Sequence, residues 1–240
     1  MHRLRFDIVH YSPPKRYVPL PENQCQLPLP GEGVVEQLKE VFPYPRIDSS
    51  INPFLWSIDG GGRELIEQMI VDNDVRLILE IGSFLGGSTE RWLRASRNLV
   101  VVCLDPWLDG WAGDYTAQHG YTEFRDQLNQ ENGFFMTFLA NLWNYRTRVV
   151  PVRKKSPQGL LDLFLLNLQP DLIYVDADKK SDSIRACHQL WPSAILTGDD
   201  WNWGKGDKAP VREAVTTLAS THGFEILQQK ETWVLIRNRR

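Results

Sequence analysis

Six aspartates stand within residues 171 to 203. Four of them, Asp176, Asp178, Asp199 and Asp200, lie at or just past the ends of two apolar runs, DLIYV and AILTG. Short continuous apolar runs read as strands buried on both faces of a parallel sheet. Carboxylates gathered where such strands emerge repel one another unless a positive charge lies among them. Adjacent parallel strands run about 4.8 Å apart, so Asp176 and Asp199 can share one ion. Asp200 would point to the opposite face of a regular strand and joins them only if the chain turns there. Gly198 and the polar stretch WNWGKGD supply the means for such a turn. An all-oxygen set favours a hard cation, Mg²⁺ first, then Mn²⁺ or Ca²⁺. The five histidines, at 2, 10, 119, 188 and 222, show no HxxH or HxxxH spacing, which argues against zinc. The plainer reading is that these aspartates only end strands and cap helices, as Asp182 does at the start of a helix.

A second cluster surrounds a glycine turn, Glu80-Ile81-Gly82-Ser83-Phe84-Leu85-Gly86-Gly87-Ser88-Thr89. A dinucleotide fingerprint needs a glycine where Phe84 stands, so close approach of a diphosphate is disfavoured. Glu80 would also set a negative charge near phosphates. An acid before such a turn suits a ligand with an amine or cationic end and no phosphate, and S-adenosylmethionine is one. Asp105 ends the next apolar run, 23 residues after Gly82, near the spacing at which an acid accepts hydrogen bonds from ribose hydroxyls. The candidate cofactor-binding residues are Glu80, Gly82, Ser83, Gly86, Ser88 and Asp105, with Asp176 at a neighbouring strand tip.

These residues need a frame to hold them. DGGGRELIEQMIVDN reads as a helix, RLILEI as a buried strand, STERWLRAS as a helix and NLVVVCLD as a second strand. TRVVPV, DLIYVD and AILTGD follow as strands, with the helices QGLLDLFLLNL and SDSIRACHQLW between them. Ser156-Pro157 reads as the cap and first position of the former. APVREAVTTLAS places Val211, Ala214, Val215, Leu218 and Ala219 on one helical face. FEILQ and TWVLIR close the chain as a hairpin. Strand–helix alternation repeated this often predicts an α/β fold with a doubly wound, mostly parallel sheet.

Nine of the 15 prolines lie in the first 53 residues, which predicts an extended arm or lid over 1–56 ahead of a domain over 57–240. Residues 106–146 are too long for one crossover and rich in Trp, Gly and Tyr at their start, so they read as a substrate lid. Trp107, Trp111, Trp201 and Trp203 are either a stacking wall for the substrate or core filling.

The 240-residue chain is long enough for one sizeable core. Its formal charge of −3 gives no pull toward nucleic acid or an anionic membrane. No run is long enough to span a bilayer, and three scattered cysteines, Cys25, Cys103 and Cys187, fit a reducing compartment. A cytoplasmic protein is expected, acting on a small molecule, with the arm available for homo-oligomer contacts.

LEIGSFLGGST, CLD, YVDADKK and ILTGDDW, in this order, resemble the cation-dependent class I O-methyltransferases of the catechol and caffeoyl-CoA type, with the macrocin-type sugar O-methyltransferases as a related branch. The resemblance covers residues 57–240 and implies a seven-stranded Rossmann-like sheet with a C-terminal antiparallel hairpin. It implies Asp176, Asp199 and Asp200 as metal ligands and Lys179 as general base. Asp178 and His119 are the substitute bases. Asp199-Asp200 stands where the catechol branch has Asp-Asn, and with the aromatic insert this leans toward a sugar acceptor. The implied reaction is methyl transfer from S-adenosylmethionine to a hydroxyl of a diol. Metal-independent transfer on the same fold and a non-catalytic cofactor-binding module are the alternatives.

Overall fold

The computed structural model describes residues 32–47, 50–53, 61–109, 124–177, 181–204 and 208–237. The apolar runs become the strands β1 (Leu77–Ile81), β2 (Val100–Leu104), β3 (Val149–Val152), β4 (Leu172–Val175) and β5 (Ile195–Gly198). The chain closes with β6 (Phe224–Gln229) and β7 (Thr232–Arg237). One sheet holds all seven, in the order β3-β2-β1-β4-β5-β7-β6. The first five pair in parallel, and β7 runs antiparallel to both β5 and β6.

Eight α-helices are described: α1 (Glu32–Val41), α2 (Glu64–Asp72), α3 (Gly87–Ala95), α4 (Arg125–Leu128), α5 (Gly133–Asn141), α6 (Gln158–Leu165), α7 (Ser181–Leu190) and α8 (Pro210–His222). A strand's side chains alternate between faces, so β1 supplies Leu79 and Ile81 to one core and Ile78 to the other. The first core includes Leu160 of α6, Ile184 of α7 and Val215 of α8. The second includes Ile66 of α2, Trp92 of α3 and Phe138 of α5. The predicted face of α8 is buried at all five positions. Among the described residues no helix is long and apolar enough to cross a membrane.

Three expectations change. The arm is not wholly extended: α1 buries Val35 and Leu38 in the first core, because two apolar residues three apart lie on one helical face; residues 1–31 lie outside the described residues. The insert is not all lid: α5 is apolar nearly all round, and Phe134, Phe138 and Leu139 belong to the second core. Residues 110–123, with Trp111 and His119, lie outside the described residues. Ser156 does not cap α6, since its hydroxyl pairs with that of Ser183 at 2.9 Å and the helix begins at Gln158.

Candidate active site at the carboxyl ends of the strands

Strand order reverses between β1 and β4, and in open α/β sheets ligands bind outside the carboxyl ends of the strands at such a point. Register carries the candidate residues there. Ile81 pairs with both Leu104 and Val175, and Val175 pairs with Gly198. One residue further on, the same level holds Gly82, Asp105, Asp176 and Asp199. The Gly82 N–H donates to Leu104 O (2.9 Å), Asp176 N–H to Ile81 O (2.8 Å) and Asp199 N–H to Val175 O (3.1 Å). Gly82 has φ +89°, and a Cβ there would overlap the Asp176 carbonyl. Only glycine lets the turn lie against the tip of β4.

On the β2 flank, Asp105 is closed by main chain. Phe84 N–H donates to its Oδ2 (3.0 Å) and Trp107 N–H to its Oδ1 (2.7 Å). Burial raises its carboxyl above the ordinary range, partly offset by those N–H donors. Each oxygen keeps acceptor capacity, since an ionised carboxylate offers about four lone-pair sites. Trp107 is core: it is 2% exposed, donates through Nε1 to Phe84 O (2.6 Å) and packs on Phe135 and Phe138. Trp201 is half-buried and Trp203 is 50% exposed.

Glu80 is corrected from a ligand contact to an internal anchor. It is fully buried, with donors in Thr89 Oγ1 and Trp92 Nε1 (3.0 Å), both on α3. It points to the second core because it alternates with Leu79. Burial pushes its carboxyl up to about 7, against the pull of those donors. Ser83 and Ser88 are buried in the same turn and in the first turn of α3, which opens just after Gly86.

On the β4–β5 flank the positive charge is Arg63. Its Nη2 donates to Asp199 Oδ2 in a short contact and lies 3.4 Å from Asp176 Oδ2. The Arg63 and Asp199 side chains are each 9% exposed, and that of Asp176 is 19% exposed. Alternation explains the meeting. Tyr174 and Asp176 share the face covered by α2, as do Thr197 and Asp199, and Arg63 immediately precedes α2. Gly61 and Gly62 before it form a turn, not the predicted start of the helix. Gly62 has φ +89°, and a Cβ there would overlap Gln229 O. Glu231 N–H and Thr232 N–H both donate to Gly61 O at 3.0 Å, fastening this turn to the β6–β7 connection. Thr232 Oγ1 reaches Asp199 Oδ1 at 3.4 Å, and Trp233 Nε1 donates to Asp199 O at 3.0 Å.

The metal expectation fails a test of fit. Burial alone would lower the affinity of Arg63 for its proton, but Tyr174, Asp199 and Asp176 outweigh it, so the guanidinium stays charged. Those acids in turn add to burial in raising the Tyr174 hydroxyl well above its ordinary range. A dication about 4 Å from that guanidinium would meet a repulsion of about 8 kcal/mol at an effective dielectric near 20. The chain does turn at Asp200, whose φ is +64°. Among the described residues, however, no group of three or more His, Cys, Asp or Glu side chains converges as metal ligands would. Asp176 and Asp199 both reach Arg63, and among the described residues Asp200 forms no three-carboxylate group with them. Lys179 and Asp178, the expected bases, lie outside the described residues.

Arg63 was missed because GGGRELIEQMI carries an apolar helical face that hides the break at its start. Three glycines in a row were the available signal, since such a run disfavours a helix interior.

No protein-family model matches the chain, and no curated protein matches it by sequence. Solved structures do match. The cofactor-bound protein Rv0187 from MTB is 20% identical with a TM-score of 0.50, over 86% of this chain and 89% of its own. The O-methyltransferase TomG from Streptomyces achromogenes, in complex with SAM, is 16% identical with a TM-score of 0.48, over 85% and 88%. The O-methyltransferase from Bacillus cereus, in complex with SAH, is 17% identical with a TM-score of 0.47, over 87% and 93%. The seven-stranded order, with β7 antiparallel between β5 and β6, is that of the class I methyltransferases, and this is the fold of the chain.

Proposed function

We propose that this chain transfers a methyl group from S-adenosylmethionine to a hydroxyl oxygen of a small molecule, in the crevice between β1 and β4. The observation that carries the reading is the pairing of a glycine turn pressed against the β4 tip with Asp105 at the β2 tip, on this strand order. When bound, S-adenosylmethionine supplies an electrophilic methyl on a sulfonium.

The chain's own groups divide the remaining work. Asp105 has acceptor capacity left for the two ribose hydroxyls, and their donors offset the burial that raises its carboxyl. The first turn of α3 presents free N–H groups where the glycine turn ends, a favourable place for the carboxylate of the amino-acid end. Glu80 ties α3 to β1 from beneath and so fixes the turn. The acceptor's hydroxyl proton passes to a base as the O–CH₃ bond forms and the S–CH₃ bond breaks. Lys179 or Asp178, just past β4, are the bases the sequence offers. Holding donor and acceptor in line supplies much of the acceleration.

The test is a titration of the full chain with S-adenosylhomocysteine, followed by label transfer from methyl-labelled S-adenosylmethionine to a panel of diols, phenols and glycosides. One site per chain with micromolar affinity and a labelled methyl ether are expected. No binding at about 1 mM, an affinity worth only about 4 kcal/mol, would overturn the reading. Binding without transfer to any acceptor would favour the non-catalytic module.

A further inference from the structure

The fold presents two acidic strand tips with a guanidinium already between them, and this asks what the arginine replaces. We propose that Arg63 is a built-in cation: it holds Asp176 and Asp199 together in place of a dissociable dication, and the β4–β5 tips therefore work without divalent metal.

Three independent features place Arg63 there by construction. The glycine turn of residues 61–62 requires positive φ at both positions and is pinned to the β6–β7 connection by two main-chain hydrogen bonds. The side chain then lies between the carboxylates and is almost wholly buried. Asp199 is further fixed through its own carbonyl by the Trp233 indole, so neither partner is free to turn to solvent at little cost. Arginine suits the place because it stays charged when buried, and its Nη2 faces both carboxylates. A bound ion would come and go with its concentration, whereas a tethered guanidinium leaves only if the turn unfolds. Arg63 is a positioning residue on this account. It orders the two tips and leaves activation of the acceptor to a base.

A direct consequence is a latent metal site. Removing the guanidinium takes away the one nitrogen, Nη2, that both carboxylates face, and leaves its place to an ion. The experiment uses Mn²⁺ alone as the probe, titrated into the full chain and followed by its paramagnetic resonance. Wild type and Asp199→Asn are expected to bind Mn²⁺ identically. Arg63→Ala is expected to gain one Mn²⁺ per chain, at least tenfold tighter than any wild-type binding, and to lose it again when Asp199→Asn is added. A wild-type Mn²⁺ site abolished by Asp199→Asn would overturn the proposal, as would an Arg63→Ala chain that folds but gains no site. If Arg63→Ala does not fold, the comparison of wild type with Asp199→Asn decides alone. The readout is metal binding, so its failure is distinct from failure of the methyl-transfer reading, which rests on the S-adenosylhomocysteine titration. On that reading, transfer in excess chelator should stay within twofold of the untreated rate.

Discussion

Asp105 on one flank of the switch and Asp199 on the other both end a buried parallel strand at the same level of the sheet, yet different partners satisfy them. Asp105 takes main-chain N–H groups from loops that its own carboxylate folds around it, those of Phe84 and Trp107 among them. Asp199 takes a side-chain cation delivered from more than a hundred residues away in sequence. Neutral donors leave a carboxylate with charge and lone pairs to offer a ligand. A buried guanidinium removes most of both. On the proposed reading one flank binds and the other braces, although the residue type is the same.

The comparison breaks most visibly at Arg63. Arg63→Ala takes the guanidinium from the buried Asp199 and the partly buried Asp176 carboxylates and should cost about 3–5 kcal/mol, measured by denaturant unfolding at neutral pH. Arg63→Lys should recover part of this, because charge returns without the fork. A loss below 1 kcal/mol would mean that the acids are not braced by this residue.

Glu80, on the strand between the flanks, sharpens the contrast through pH. Its carboxyl is raised from an ordinary 4.5 to about 7 by burial, so the folded chain binds this proton more tightly than the unfolded chain does. Its contribution to stability is therefore full below about pH 4.5 and lost as the pH rises through about 7. The change is ~3 kcal/mol, taking about 1.4 kcal/mol per pKa unit. Glu80→Gln should flatten that part of the stability profile. An unchanged slope would place the proton elsewhere.

Asp105→Asn should have the smallest effect on folding, about 1 kcal/mol for one lost main-chain hydrogen bond. It should weaken S-adenosylhomocysteine about tenfold or more in calorimetry. Equal affinity in the variant would remove the binding role from this flank.

Much of this was legible in the sequence because strands buried on both faces announce themselves as apolar runs, and their ends then place the acids. The five parallel strands, the closing hairpin, the core face of α8 and the placing of Asp176 and Asp199 at neighbouring strand tips all follow from that pattern. What escaped was tertiary in origin. Glu80 reads as an acid beside a ligand turn, but period-two alternation turns it into the core, where Thr89 and Trp92 receive it. Trp107 reads equally as substrate wall or filling until the packing of α5 beneath it decides. Arg63 carries no local mark of its destination, because the docking of its turn on Gln229 and Thr232 involves residues at the far end of the chain. A pattern of carboxylates predicts that a cation is needed without saying whether it is an ion or a side chain.

Crystals of the full chain grown with S-adenosylhomocysteine and soaked in millimolar Mn²⁺, with data collected at the manganese edge, examine both flanks at once. The account predicts ribose hydroxyls on Asp105, Arg63 spanning Asp176 and Asp199, and no anomalous peak between them. A manganese peak there, with the guanidinium displaced, would contradict it.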